Sequence, residues 1–202
     1  IMKIQSTQLS MEEVAETFHP SDPRDESKIH ISDLRDTLLE TLGLQRGKEK
    51  VIPQWVKNLG SFGLVWEKVV HGTIQEQAWN EGPPGMTFQG ATIVEVDGII
   101  GTLDGLILQE PNGQPAAVWE NKTRWRAEEL PTDNERYMIQ AKAYCWMVGV
   151  TQCWFSVLNI SARPPNMVQW LHIIDFTPQE LMENWRSLLQ MREIVERRKF
   201  HA

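Results

Sequence analysis

The chain has 202 residues, 41% of them hydrophobic and 23% charged, with a formal net charge of -7 at pH 7. That size suits one globular domain with a core able to fold alone. The acidic balance argues against a protein that coats nucleic acid by bulk electrostatics, but leaves room for acids gathered at a metal beside a groove lined with bases. Every apolar run is broken well before the roughly 18 to 20 residues that cross a bilayer. The N-terminus has no basic-then-apolar signal pattern, so a cytoplasmic protein without a membrane partner is expected. Cys145 and Cys153 are the only cysteines and lack CxxC spacing. They are expected to be buried small hydrophobes, and most of the nine tryptophans to fill the core.

Residues 1–28 are polar, with Pro20, Pro23 and mixed charges, and read as an arm ahead of a domain spanning 29–202. Ser32 is expected to cap a helix carrying Leu34, Leu38, Leu39 and Leu42, which Gly43 stops. A basic loop with Arg46, Lys48 and Lys50 follows, then a helix from about Ser61 carrying Leu64, Glu67, Val70 and His71. Residues 83–86, Pro-Pro-Gly-Met, read as a loop. Ala91 to Ile100 and Thr102 to Gln109 read as strands, Asn112-Gly113 as a hairpin turn, and Ala116 to Thr123 as the return strand. Thr132 with Glu135 forms a capping box that opens a helix to about Val148. Strands at Cys153 to Ile160 and Met167 to Ile174 precede a second capping box, Thr177 with Glu180, flanked by a Phe176 to Leu181 staple. A charged amphipathic helix then runs to the C-terminus. The order gives an α/β fold with a central mixed sheet flanked by helices.

Within this pattern the segment from Gly101 to Lys122 sets charges among its best strand formers. Side chains alternate along a strand, so Val118, Glu120 and Lys122 face one side while Ala117 and Trp119 face the other. Asp104, sharing a face with Leu106 and Leu108, is brought near Glu120 by a hairpin at Asn112-Gly113. Two adjacent carboxylates repel unless a cation lies between them. Oxygen-only ligands suit Mg²⁺ or Mn²⁺, with Asp104, Glu120 and the Asn121 carbonyl as the donor set and Lys122 beside it. E-x-K alone is a weak pattern, since Glu26-Ser27-Lys28 matches it in a polar segment with no strand signal.

Gly101-x-x-Asp104 followed by Glu120-x-Lys122 resembles the PD-(D/E)XK nuclease superfamily, with Leu103 where that pattern has proline. Gln140-x-x-x-Tyr144 in the next helix is similar to the QxxxY pattern of its RecB-like branch, and Gly63-Leu-Val-Trp-Glu67 resembles an element of the lambda-exonuclease (YqaJ-like) group. The resemblance implies a restriction-endonuclease-like core and a Mg²⁺- or Mn²⁺-dependent deoxyribonuclease, working as an exonuclease in recombination, repair or processing. By the same resemblance Asp104 and Glu120 are metal ligands, Lys122 is the catalytic lysine, and Glu67, with His71 one turn on, is a further metal contact. Gln140 and Tyr144 hold the DNA strand and the site geometry. Arg124 and Arg126 are further candidates for binding DNA, and Trp125 between them for stacking on a base. Some RecB-like nucleases hold an iron–sulfur cluster through four cysteines; with two here, none is expected. A homo-oligomer and a recombination partner protein are compatible with the family. The competing readings are a non-catalytic DNA-binding or assembly subunit that keeps the fold, and a restriction-like or junction-resolving endonuclease.

Overall fold

A computed structural model describes residues 25, 27–44, 85–125, 130–162 and 165–200. The expected helix from Ser61 with Glu67 and His71, the basic residues Arg46, Lys48 and Lys50, Arg126, and nearly all of the N-terminal arm lie outside the described residues. No helix among the described residues is long and apolar enough to cross a membrane.

The chain enters through a two-residue strand β1 (Ile29–His30) and helix α1 (Ile31–Thr41). His30, held extended at φ -107° and ψ 151° beside strand β4 (Ile99–Leu103), is the N-cap in place of the expected Ser32, which lies inside the helix. The His30 N–H donates to Asp33 Oδ2 at 3.1 Å, satisfying a backbone donor at the helix entrance. Gly43 ends the helix at φ 71°, as its permissive backbone suggests. Ile31, Leu34, Leu38 and Leu39 are buried, but Leu42 falls on the C-cap and is 57% exposed, so the apolar stripe stops one turn earlier than its spacing implies.

Two sheets follow. Strand β3 (Thr92–Val96) pairs antiparallel with β4, and β1 joins the other edge of β4 in parallel, giving the order β1-β4-β3. The expected single strand Ala91 to Ile100 is therefore a hairpin, broken at Asp97-Gly98, where φ is 54° and 73°. Two successive positive φ values are what a tight hairpin turn requires, and Asp-Gly accommodates them. The Arg192 Nη1 N–H, from the C-terminal helix, donates to the Asp97 carbonyl at 2.8 Å.

The larger sheet has the order β2-β5-β6-β7-β8, built from Met86–Gln89, Gly105–Gln109, Gln114–Trp125, Gln152–Ala162 and Pro165–Asp175. β6 and β7 run parallel and the other pairs antiparallel, so the sheet is mixed as expected. Met86 begins strand β2 instead of closing a loop, because the chain pairs there with β5. Asn112-Gly113 sits in the expected turn between β5 and β6, with Gly113 at φ 64°.

Helix α2 (Glu135–Val148) crosses one face of this sheet, and α3 (Pro178–Phe200) packs with α1 and α2. The cap of α2 is Asn134, whose side chain accepts from the Tyr137 N–H at 3.3 Å; Thr132 instead belongs to a 3-10 turn at Pro131–Asp133 that delivers Asn134 to the helix entrance. The Thr177 and Glu180 box on α3 forms as expected, each backbone N–H meeting the other's side chain at 2.9 and 3.2 Å. Phe176 and Leu181 are both buried in the main core.

That core joins all three helices to Ile99 and Leu103 of the small sheet and to Leu106, Val118, Cys153, Phe155 and Val157 of the large one. A separate cluster of Phe88, Ile107, Ala117, Trp119 and Trp154 occupies the opposite face of the large sheet. Cys145 and Cys153 are buried and unbridged. Trp119, Trp154 and Trp185 are buried while Trp146 and Trp170 are exposed, a more divided placement than core filling alone implies.

Candidate active site

Strand periodicity puts Glu120 and Lys122 on the same side of β6 as Val118, under α2, while Ala117 and Trp119 enter the opposite cluster. Asp104 reaches the same place by another route. It lies between β4 and β5, where the chain leaves the small sheet for the large one, and not within a strand as expected. Free of both ladders, its Oδ2 accepts from the Asn121 N–H at 2.7 Å. In a strand a residue's N–H and C=O face the same neighbour, so the Asn121 carbonyl is directed to the Asp104 side of β6. The Asn121 side chain faces away, accepting from the Trp119 indole N–H at 3.0 Å.

Lys122 Nζ lies 3.2 and 3.1 Å from the two Glu120 carboxylate oxygens and 3.9 Å from Asp104 Oδ2. It is also 5.5 Å from the centre of the Tyr137 ring. From α2, Gln140 Nε2 donates to Glu120 Oε1 at 3.0 Å and to the Tyr144 hydroxyl at 3.1 Å. Gln140 and Tyr144 are one helical turn apart, which is how one helix sets the phenol beside the amide that holds the carboxylate. Glycine at 101 leaves room for the tyrosine, since a Cβ there would lie 3.1 Å from Tyr144 Cε1 and 3.0 Å from Met147 Sδ. Gly105 allows the turn out of Asp104, because a Cβ there would approach the Phe88 ring to 2.6 Å and the Gln89 carbonyl to 3.0 Å.

Glu120 is 1% exposed. Burial is the main cause that pushes its carboxyl upward, to about 8, and the Asp104 charge adds to it while Lys122 opposes it. Burial likewise works against the Lys122 charge, but Glu120 and Asp104 outweigh it and hold the ammonium protonated. Burial and the same two acids raise the Tyr144 phenol, keeping it neutral as a hydrogen-bonding group.

Two carboxylates thus face one ammonium, with Glu120 shut off from water and Asp104 and Lys122 partly open to it. With both acids ionised the donor set is oxygen only and carries one more negative than positive charge, which fits a hard divalent cation that retains waters. Among the described residues no group of three His, Cys, Asp or Glu side chains stands together as a metal-ligand set.

Five expected residues therefore converge: Asp104, Glu120, Lys122, Gln140 and Tyr144, with the Asn121 backbone against them. The backbone of Arg124 continues β6 beyond Lys122, and Arg126, Glu67 and His71 lie outside the described residues. Of the second E-x-K, Glu26 lies outside the described residues, and Lys28 pairs with Glu95 of the small sheet at 2.8 Å. A further side chain, which no motif marks, joins the converging residues. Arg35 of α1 is 8% exposed and donates through Nη1 to Gln140 Oε1, while its Nε donates to Asp36 at 2.9 Å. Its sequence signal was an arginine four residues after Ile31 and four before Leu39, in the helix's apolar stripe.

No family model and no curated protein sequence matches the chain. Among solved structures, it is similar to an alkaline exonuclease (LHK-Exo) from Laribacter hongkongensis at 11% identity, covering 94% of this chain and 95% of that one with a TM-score of 0.49. The same exonuclease in complex with dAMP aligns at 12% identity over 95% of each chain, with a TM-score of 0.46. A phage related exonuclease from Haemophilus somnus 129PT aligns at 13% identity over 94% of this chain and 93% of that one, with a TM-score of 0.44.

Proposed function

We propose that the chain is a Mg²⁺- or Mn²⁺-dependent deoxyribonuclease that hydrolyses phosphodiester bonds from DNA ends, within recombination, repair or DNA processing. The observation that carries the reading is the meeting of the buried Glu120 and the partly exposed Asp104 around Lys122 Nζ, at 3.1 and 3.9 Å. Holding a second carboxylate, even a partly exposed one, beside a buried first is costly, and a structural ion pair needs only one. The Gly101-x-x-Asp104, Glu120-x-Lys122 and Gln140-x-x-x-Tyr144 spacings, through their resemblance to the PD-(D/E)XK nucleases, supply the substrate class.

Asp104, Glu120 and the Asn121 carbonyl would hold the ion, with Glu67 or His71 as a further contact. A bound Mg²⁺ or Mn²⁺ supplies Lewis acidity at a phosphoryl oxygen and a more acidic water for attack on phosphorus. The protein's own contribution is placement. Lys122 stays cationic between the acids and meets the negative charge that grows on the phosphoryl oxygens during displacement. Gln140 fixes the Glu120 carboxylate, and Tyr144 stays neutral behind it. Arg124 and Arg126, at and beyond the end of β6, would attract the DNA backbone.

The test is digestion of linear and circular duplex DNA in Mg²⁺, Mn²⁺ or EDTA by the wild-type chain, Asp104→Ala and Lys122→Ala. Loss of metal-dependent cleavage in both variants is expected. Equal cleavage in all three proteins would end the assignment, and circular DNA cut as fast as linear would replace the exonuclease with an endonuclease.

A further inference from the structure

Arg35 belongs to none of the motifs, yet its guanidinium is among the most buried charged groups near the site, with the whole residue 8% exposed. A buried guanidinium keeps its proton and must be paired. Its Nε is matched by Asp36 Oδ1 at 2.9 Å, and Asp36 is in turn held by Arg136 Nη2 at 3.0 Å to each oxygen. Its Nη1 donates to Gln140 Oε1.

A guanidinium offers donors only, whereas an amide has one end of each kind. Gln140 can face Arg35 only with its carbonyl oxygen. The opposite orientation would set NH₂ against the guanidinium and oxygen against the Glu120 carboxylate, replacing two attractions with two repulsions. Arg35 therefore dictates that Nε2 points to Glu120 Oε1, at 3.0 Å, and to the Tyr144 hydroxyl, at 3.1 Å.

We propose that Arg35 is a positioning residue that acts through the Gln140 amide to fix the Glu120 carboxylate, without itself contacting DNA. The proposal rests on the reading of Glu120 as a metal ligand. Removing Arg35 frees the amide to turn, so Glu120 samples orientations that present its oxygens less well to a cation. Gln140→Leu cuts the same path one step later, and the two losses should not multiply.

The test uses the full chain as wild type, Arg35→Met, Gln140→Leu and the double variant, with Arg35→Lys as the better tolerated replacement should Arg35→Met not fold. Mn²⁺ affinity is measured by calorimetry, and kcat and KM on linear duplex DNA. The ¹⁵N side-chain amide signals of Gln140 are recorded without metal, assigned by their loss in Gln140→Leu. Each single variant is expected to lose roughly ten- to a hundredfold in Mn²⁺ affinity and kcat, the range for losing a hydrogen bond to a charged group, at unchanged KM. The double variant should be no worse than the weaker single one, and the Gln140 amide signals should shift and broaden without Arg35. Losses that multiply, a raised KM at unchanged kcat, or unmoved amide signals would each overturn the proposal. Should the wild type neither bind Mn²⁺ nor cut DNA, the nuclease reading fails, and the amide signals alone then decide whether Arg35 orients Gln140.

Discussion

Replacing Glu120 by glutamine keeps the side chain's shape and an oxygen that can accept from Lys122 and Gln140, but removes a charge that sits 1% exposed beside Asp104. With burial first and the Asp104 charge second, the Glu120 carboxyl rises from an ordinary 4.5 to about 8, against the opposing pull of Lys122. The folded protein thus binds this proton more tightly than the unfolded chain does. The stability it contributes is full below the ordinary carboxyl pKa and is lost as pH rises from about 4.5 to about 8. Each unit of that gap corresponds to about 1.4 kcal/mol, so the metal-free fold bears a strain of about 2 to 5 kcal/mol at ~pH 9. Glutamine imitates the neutral carboxyl at every pH. In EDTA, Glu120→Gln should therefore be more stable than wild type by about 2 to 5 kcal/mol at ~pH 9, or roughly 5 to 15 °C in Tm. At ~pH 5 the two should agree within about 1 kcal/mol. Saturating Mn²⁺ should shrink that advantage by about 2.7 kcal/mol at a hundredfold over its Kd, a gain for the protein that binds the ion and not for one that does not. Thermal unfolding across this pH range, with EDTA and with Mn²⁺, reads all of it. A Glu120→Gln protein less stable than wild type at high pH in EDTA, or a difference that ignores pH, would refute the reasoning.

Lys122→Met should reduce single-turnover DNA cleavage at least about a hundredfold. It should also cost about 3 to 5 kcal/mol in metal-free urea titrations at high pH, because a buried carboxylate is left without its partner. Gly105→Ala should destabilise more than Gly101→Ala, about 2 to 3 against about 1 kcal/mol. The new methyl meets the Gln89 backbone and the Phe88 ring in the first case and the flexible Met147 end and the Tyr144 edge in the second. Gly101→Ala, although milder in denaturant, should slow cleavage by displacing Tyr144, which a paired stability and rate measurement will separate. Thr177→Ala removes a reciprocal cap from α3 and should lower stability by about 1 kcal/mol with no change in cleavage per folded molecule.

The parts of this structure legible in the sequence are those set by local periodicity or turn chemistry. The period of two on β6 put Glu120 and Lys122 on one face, and Asn112-Gly113 marked its hairpin. Asp97-Gly98 carried an equally good turn signal, but apolar residues on both sides made the segment look like one strand. Asp104 shows where such reasoning loses its hold. Its neighbours read as continuous strand, yet β4 belongs to one sheet and β5 to the other, and only the change of partner frees its carboxylate to meet the Asn121 N–H. Ser32 and Thr132 looked like caps for a related reason, since pairing of β1 and the 3-10 turn at Pro131–Asp133 fix the helix entrances elsewhere.

Arg35 makes the limit sharper. That a charged residue interrupts the apolar stripe of α1 can be read from eleven residues of helix. That its guanidinium meets an amide 105 positions along the chain depends on how α1 packs against α2, and no local pattern encodes that packing. The orientation of Gln140 follows from the contact, and the orientation of the Glu120 carboxylate follows from Gln140. Local spacing brings the acids, the lysine and the glutamine to one place, whereas the direction in which each polar atom points there is settled by tertiary partners.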